Sequence, residues 1–187
     1  ITLPNSLKFL GAKAFDFCSN LTEIKIPANV TEIGPSLFSG CYNLASVTVD
    51  SANPVYHGNG NCIIDRATKS LVAGCGASMI PADGSVTKIG EGAFYTNYRI
   101  TQIVIPDGVT EICDYAFDSC LNLTEITIHA SVTKIGNRAL ANCKDLTAVY
   151  YKGTTAQWDK IEKYEGGLNN GWNVYSEFTV YCSDGTV

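Results

Sequence analysis

The chain has 187 residues, 45% of them hydrophobic and 17% charged, with a net charge of −5 and eight cysteines. That length and apolar content suit one domain of ordinary size with a continuous core. The negative balance repels phosphate backbones and speaks against a general nucleic-acid role, and no apolar run approaches the ~20 residues of a membrane-spanning helix.

The chain opens on Ile1-Thr2-Leu3-Pro4, which reads as the middle of a repeat; a fragment is expected, with any targeting segment upstream or removed. Leu21-Thr22-Glu23-Ile24-Lys25-Ile26 alternates with period two and stops at Pro27, which has no N–H to donate, so a strand is predicted. Val30-Thr31-Glu32-Ile33 predicts a second, shorter extended piece. Ser36-Leu37-Phe38-Ser39-Gly40-Cys41 is too short for a stable isolated helix and predicts a single helical turn or a 3₁₀ piece. Next, Cys62-Ile63-Ile64-Asp65 and Ser70-Leu71-Val72-Ala73 flank the polar turn Arg66-Ala67-Thr68-Lys69, a predicted hairpin. The first pattern then returns as Ile103-Val104-Ile105-Pro106 with Val109-Thr110-Glu111-Ile112, and again as Ile126-Thr127-Ile128-His129 with Val132-Thr133-Lys134-Ile135.

Equivalent positions fix the period. Phe15 to Phe38, Phe94 to Phe117 and Phe117 to Leu140 are each 23 residues apart, whereas Phe38 to Phe94 is 56. One coil, about residues 47–79, therefore carries ten extra residues. Phe15, Phe38, Phe94 and Phe117 are expected to form one buried spine, continued by Leu140. Lys88, Glu111 and Lys134 fall on equivalent positions, so opposite charges should stack along the ladder. A lone coil of this size orders too much backbone for the few large apolar side chains it buries, so the coils must stack.

The repeat Ile-x-Ile-Pro-x-x-Val-Thr-x-Ile-Gly-x-x-Ala-Phe-x-x-Cys-x-x-Leu-Thr resembles the BspA-like leucine-rich repeat, also called the Treponema pallidum type. Val49 to Tyr56 with the following hairpin resembles the hairpin-bearing unit of those proteins, and Val149-Tyr150-Tyr151-Lys152-Gly153-Thr154 through Tyr181-Cys182-Ser183-Asp184-Gly185 resembles their terminal unit. Departures are Tyr95 to Ile100 in place of x-x-Cys-x-x-Leu, Cys113 for Gly, His129 for Pro and Leu140 for Phe. The resemblance implies an α/β repeat solenoid: a right-handed leucine-rich-repeat superhelix of 23-residue coils, with short parallel strands, short helical turns, one β-hairpin insertion and a C-terminal cap. Repeats would occupy residues 1–148 and the cap 149–187. Family members are typically exported bacterial or protist surface proteins associated with adhesion. The implied role is an extracellular or cell-surface module binding a protein, cell-surface or matrix ligand, monomeric in isolation; the alternative is a structural spacer that presents another domain.

Cys18, Cys41, Cys120 and Cys143 each sit three residues after the spine aromatic, and Asn97 takes that slot in the fourth coil. Asn forms no disulfide but hydrogen-bonds turn backbone, so these four are read as thiols serving inward-facing turn groups. Cys62 and Cys75 are brought near each other by the hairpin and leave a disulfide open. No close Cys-x-x-Cys pair points to zinc. His57 beside Cys62 lacks a third orienting group, and Gly58-Asn59-Gly60 precedes no helix, so neither a nucleophilic pair nor a phosphate loop is indicated. No catalytic residue, metal or cofactor is expected, and the chain reads as a non-enzyme. The sequons at Asn20, Asn29 and Asn122 arise from the repeat itself.

If Ile24 and Ile26 point inward, Glu23 and Lys25 point out. The candidate partner-binding residues are therefore Glu23, Lys25, Ser46, Thr48, Gln102, Val104, Glu125, Thr127 and Tyr150, with Ala148 in the same pattern, forming one open sheet surface. The alternative site is Tyr95, Tyr98 and Arg99, with Trp172 and Tyr175 near the C-terminus. Trp158, Trp172 and Phe178 are expected to close the open end of the core.

Overall fold

The computed structural model describes residues 1–163 and 178–187. In chain order its elements are β1 (Phe9–Leu10), β2 (Glu23–Ile26), β3 (Glu32–Ile33), β4 (Ser46–Val49), β5 (Tyr56–Asn59), β6 (Cys62–Asp65), β7 (Ser70–Gly74) and β8 (Lys88–Ile89). They continue with β9 (Gln102–Ile105), β10 (Glu111–Ile112), β11 (Glu125–Ile128), β12 (Lys134–Ile135), β13 (Ala148–Tyr151), α1 (Thr155–Asp159), β14 (Glu162–Lys163), β15 (Thr179–Cys182) and β16 (Gly185–Thr186). Four-residue and two-residue strands form two walls of a solenoid. The 23-residue spacing places each strand in register with its copy one coil on, Ile103 with Ile126 and Ile126 with Val149; Val180, 31 residues further along, continues the row, and all four are buried. Period-two alternation turns these side chains inward and their neighbours outward. On the two-residue wall Glu111 lies between Lys88 and Lys134, with Nζ to carboxylate distances of 2.6 and 3.5 Å, the charge stacking expected from the repeat.

The third wall is not helical. In the segment around Phe117, the N–H groups of Tyr115, Phe117 and Ser119 donate to the carbonyls of Asn137, Ala139 and Ala141 of the next coil. The residues between them bond back within their own turn, Asp118 N–H to Tyr115 and Cys120 N–H to Phe117. Tyr115 and Ser119 have φ of 56° and 62°, and the same two positions are left-handed at Lys13 and Phe17 and at Arg138 and Asn142. A left-handed residue every fourth position forbids a right-handed helix and frees alternate N–H groups for the neighbouring coil. The expected helical turns are thus a third hydrogen-bonded ladder. Among the described residues α1 is the only helix. It is held by a capping box, Thr154 Oγ1 accepting from Gln157 N–H while Gln157 Oε1 accepts from Thr154 N–H.

The aromatic spine is broken in two. Phe15 stacks on Phe38 with ring centres 5.9 Å apart, and Phe94 on Phe117 at 5.1 Å. The buried apolar side chains likewise divide into two clusters that meet at the hairpin β5–β6–β7. The hairpin coil supplies strands but no turn segment, so the turn wall of the Phe94 coil rests directly on that of the Phe38 coil. Ser39 and Thr96 hydroxyls are 2.9 Å apart, and Tyr42 stacks on Tyr98. Gly74 lies against the Phe94 ring, where an added Cβ would stand 2.2 Å from Cε1. At the far end Trp158 is fully buried and meets Tyr151 edge-on at 5.2 Å, and Phe178 packs half-buried beside the core. Trp172 and Tyr175 lie outside the described residues.

Phe117→Ala removes a fully buried ring from one stack and is expected to cost about 3–5 kcal/mol in urea titration. Gly74→Ala overpacks the Phe94 ring and is expected to cost about 1–3 kcal/mol; an unchanged denaturation midpoint would contradict this close packing.

Candidate partner-binding faces

Glu23, Lys25, Thr48, Gln102, Val104 and Tyr150 are exposed on the four-residue wall, while Ser46, Glu125 and Thr127 are half-buried. Ala148, in the same alternation, is buried instead. Lys25 Nζ reaches Asp50 Oδ2 at 2.9 Å, and this bond holds the Asp50 carboxyl below the usual carboxylate range. Tyr150 stacks on Tyr181 with centres 5.2 Å apart. Strand register places Val104, Thr127, Tyr150 and Tyr181 in one row.

The outward residues do not lie on one continuous sheet. β2 pairs only with β4, and β9, β11, β13, β15 and β16 form a separate sheet. The tip of the β5–β6 hairpin enters between them. Asn61 Oδ1 accepts from Val47 N–H on the edge of β4, and Asn61 Nδ2 donates to the Ala77 carbonyl. Met79 N–H donates to the Gly60 carbonyl. Residues 77–80 thereby take the place of a long strand without pairing to β9, and a groove of ≈390 Å³ separates the two, lined by Met79, Ile80, Gln102, Val104 and Glu125 among others. A second groove of ≈460 Å³ borders β2 and β4, against Leu3 and Asn5.

The alternative residues sit on the turn wall, where the missing turn of the hairpin coil brings distant segments together. Tyr98 stacks on Tyr42 at 4.9 Å, and Phe17, 58% exposed, meets Tyr42 edge-on. Lys13 Nζ stands 5.0 Å over the Tyr95 ring, and Tyr95 borders a groove of ≈300 Å³ with Glu91 and Tyr115. Arg99 is exposed and lies along Gly76. Phe17, Tyr42 and Tyr115 escape sequence reading because nothing local announces that the 56-residue interval closes into direct contact.

The ladder cysteines do serve the turns. Cys41, Cys120 and Cys143 donate Sγ–H to the carbonyls of Phe15, Phe94 and Phe117, at 3.0, 3.1 and 3.2 Å. Cys18 is exposed. Asn97 departs from this scheme: its Oδ1 accepts from Arg99 N–H in its own turn. No disulfide joins Cys62 to Cys75; Cys62 Sγ faces the Gly60 carbonyl at 3.5 Å, and Ser78 Oγ approaches Cys75 Sγ. Burial pushes the Cys41 thiol up to about 11 and those of Cys62 and Cys143 up to about 12, far from a thiolate nucleophile at neutral pH. The hairpin register sets His57 opposite Ile64 and Cys62 opposite Asn59, so it does not pair the two. His129 Nδ1 lies 3.0 Å from Asp107 Oδ1 at the surface. Among the described residues no cluster of three His, Cys, Asp or Glu could hold a metal ion, and no helix is long and apolar enough to cross a membrane.

Comparison with known proteins matches residues 1–59 and 68–164 to the BspA type leucine rich repeat region, in six copies. No curated protein sequence matches. Among solved structures, a leucine-rich repeat protein from Eubacterium ventriosum is 26% identical with a TM-score of 0.69, over 81% of this chain and 41% of that one. A leucine rich cell surface protein from Faecalibacterium prausnitzii is 27% identical with a TM-score of 0.44, over 86% and 55%. The pneumococcal vaccine antigen PcpA is 16% identical with a TM-score of 0.58, over 79% and 43%, a likeness of fold. The chain spans roughly two fifths to just over half of the length of these relatives.

Beneath the turn wall lies a buried carboxylate that sequence reading does not single out. Asp118, 1% exposed, accepts from Arg138 Nε, Asn142 Nδ2 and Ser119 Oγ, each at 2.8 Å. Its signal is weak in sequence because neither equivalent neighbour, Tyr95 or Ala141, is acidic. Asp118→Ala strands three donors and is expected to cost about 2–4 kcal/mol in denaturant titration. In the folded chain a bulky maleimide should label Cys18 quickly, while Cys41, Cys62 and Cys120 react only on unfolding, as peptide mass mapping would show.

Proposed function

Because the chain belongs to the BspA-type leucine-rich repeat family, we propose that it is an extracytoplasmic protein-interaction or adhesion module acting through the exposed face of its long-strand wall. The observation that carries this reading is the row of outward side chains set side by side by strand register: Gln102 with Glu125, and Val104 with Thr127 and Tyr150. Val104 is 59% exposed in the middle of a strand, a position with no demand from the core. Surface placement and adhesion are carried by the family. The face is shallow and mixed in polarity, which suits broad contact rather than enclosure of a small molecule. No catalytic residue or cofactor is part of this proposal, and the isolated chain is proposed to be monomeric.

The turn wall is the competing face, favoured by exposed Phe17 set edge-on to the half-buried Tyr42–Tyr98 stack, since aromatics and Arg are common anchors. The two are separated by screening the isolated chain on an extracellular-matrix, protein and glycan array. A Lys25→Glu/Gln102→Arg/Glu125→Lys triple variant is expected to lose the ligand, and a Tyr95→Ala/Tyr98→Ala/Arg99→Ala variant to keep it; the reverse result places the site on the turn wall. Many modest contacts imply weak monovalent binding, so display of the chain on beads should strengthen capture by about 10²-fold or more.

A further inference from the structure

The long-strand wall has one open rung. From β9 onward each strand is paired with the next, β9 to β11 to β13 to β15. The other edge of β9 faces residues 78–80, and no backbone hydrogen bond joins the two among the described residues. The cause is local. Met79 N–H is turned away to Gly60, the Ala77 carbonyl is held by Asn61, and Pro81 has no N–H. The hairpin tip has drawn this segment toward β4 and away from β9.

That edge is chemically specific. The carbonyls of Thr101 and Ile105 accept from Thr124 and His129 on the β11 side. Alternation along a strand therefore points the N–H and C=O groups of Gln102 and Val104 to the opposite edge, into the groove. Two donors and two acceptors at strand spacing match an extended backbone and no compact ligand. Met79, 76% exposed, and Val104 offer apolar surface on either side. Glu125 lines the groove and makes no ion pair among the described residues, whereas Lys25 and Asp50 at the other sheet neutralise each other. Among the described residues no Lys, Arg or His lines the groove, and the charge they give it is negative. Its ≈390 Å³ accommodates a short peptide segment rather than a folded domain.

We infer that this groove takes an extended peptide from a protein partner, paired through its backbone to Gln102 and Val104, with aliphatic residues against Met79 and Val104 and a Lys or Arg reaching Glu125. This rests on the sheet-face reading and narrows it to one edge and one class of ligand.

The probe is acetyl-Val-Thr-Lys-Thr-Val-amide, whose two Val and one Lys share one face of an extended strand, titrated into the ¹⁵N-labelled 187-residue chain. Saturable shifts and slowed hydrogen exchange are expected at the amides of Gln102 and Val104. Methylating alternate backbone nitrogens of the peptide, tested in both frames, is expected to abolish binding in one of them. Glu125→Gln should weaken binding about threefold at low salt. Val104→Pro, tolerated where the N–H faces away from the ladder, should weaken it about fivefold through one lost donor. Equal binding by both methylated peptides, or no site-specific shift at millimolar peptide, overturns the inference without touching the chain's fold. The broader reading is scored separately with the array ligand. Loss of that ligand in Thr127→Arg/Tyr150→Ala together with retention in Val104→Pro overturns the strand-edge inference and leaves the sheet face standing. Peptide binding as expected, with Thr127→Arg/Tyr150→Ala silent toward the array ligand, supports the edge and overturns the wider face.

Discussion

Every coil of this chain depends on the next one for its backbone hydrogen bonds. A 23-residue loop of two short strands and a tight turn has few partners within itself. The long strands, the short strands and the turn wall are each satisfied by the copy one period away, as in Thr124 N–H to Thr101, Gly136 N–H to Ile112 and Phe117 N–H to Ala139. Side chains reinforce the dependence. Threonine hydroxyls on Thr110, Thr124, Thr133 and Thr147 reach back to the carbonyl of the residue one coil earlier. Cysteine thiols do the same at the turn. The repeat length is therefore set by registry: adding or removing one residue would reverse which side chains enter the core on that coil.

The hairpin coil shows what happens where registry is suspended. Its extra residues fold back as β5–β6–β7, and the chain must still present something to both neighbours. Asn53, 2% exposed, meets one side: its amide donates to the Pro27 and Val30 carbonyls and accepts from the N–H groups of Val55 and Tyr56. Asn61 meets another, spanning from Val47 to Ala77 in the manner of a strand peptide group. Two asparagine side chains thus substitute for missing backbone. What they do not restore is the turn wall or the rung beside β9. Both candidate faces arise from these two omissions, one as an aromatic contact across 56 residues and the other as an unfilled strand edge.

The chain's functional chemistry follows from the same economy. Buried thiols raised far above neutral pH and a fully bonded Asp118 are devoted to the scaffold. Outward residues are free of that duty, and it is there that the proposed partner would find side chains and, at β9, backbone groups not already committed.

Much of this was legible in the amino-acid order. The period, the inward Ile and Val positions, the hairpin, the stacked charges of Lys88, Glu111 and Lys134, the cysteine role at Cys41, Cys120 and Cys143 and the burial of Trp158 all follow from local pattern repeated at fixed spacing. Local pattern determines which face of a strand is apolar and which residues recur, because those properties reside in neighbouring residues. Tertiary structure alone decided three things. The turns became a ladder rather than helix, because alternate N–H groups are better satisfied by the adjacent coil than by their own. The Phe spine split at Gly74, and the sheet opened between residues 78–80 and β9, because the hairpin's path past its neighbours depends on contacts between residues far apart in sequence. Asn97 and Ala148 carry the same lesson on a smaller scale: equal position in the repeat does not ensure equal surroundings.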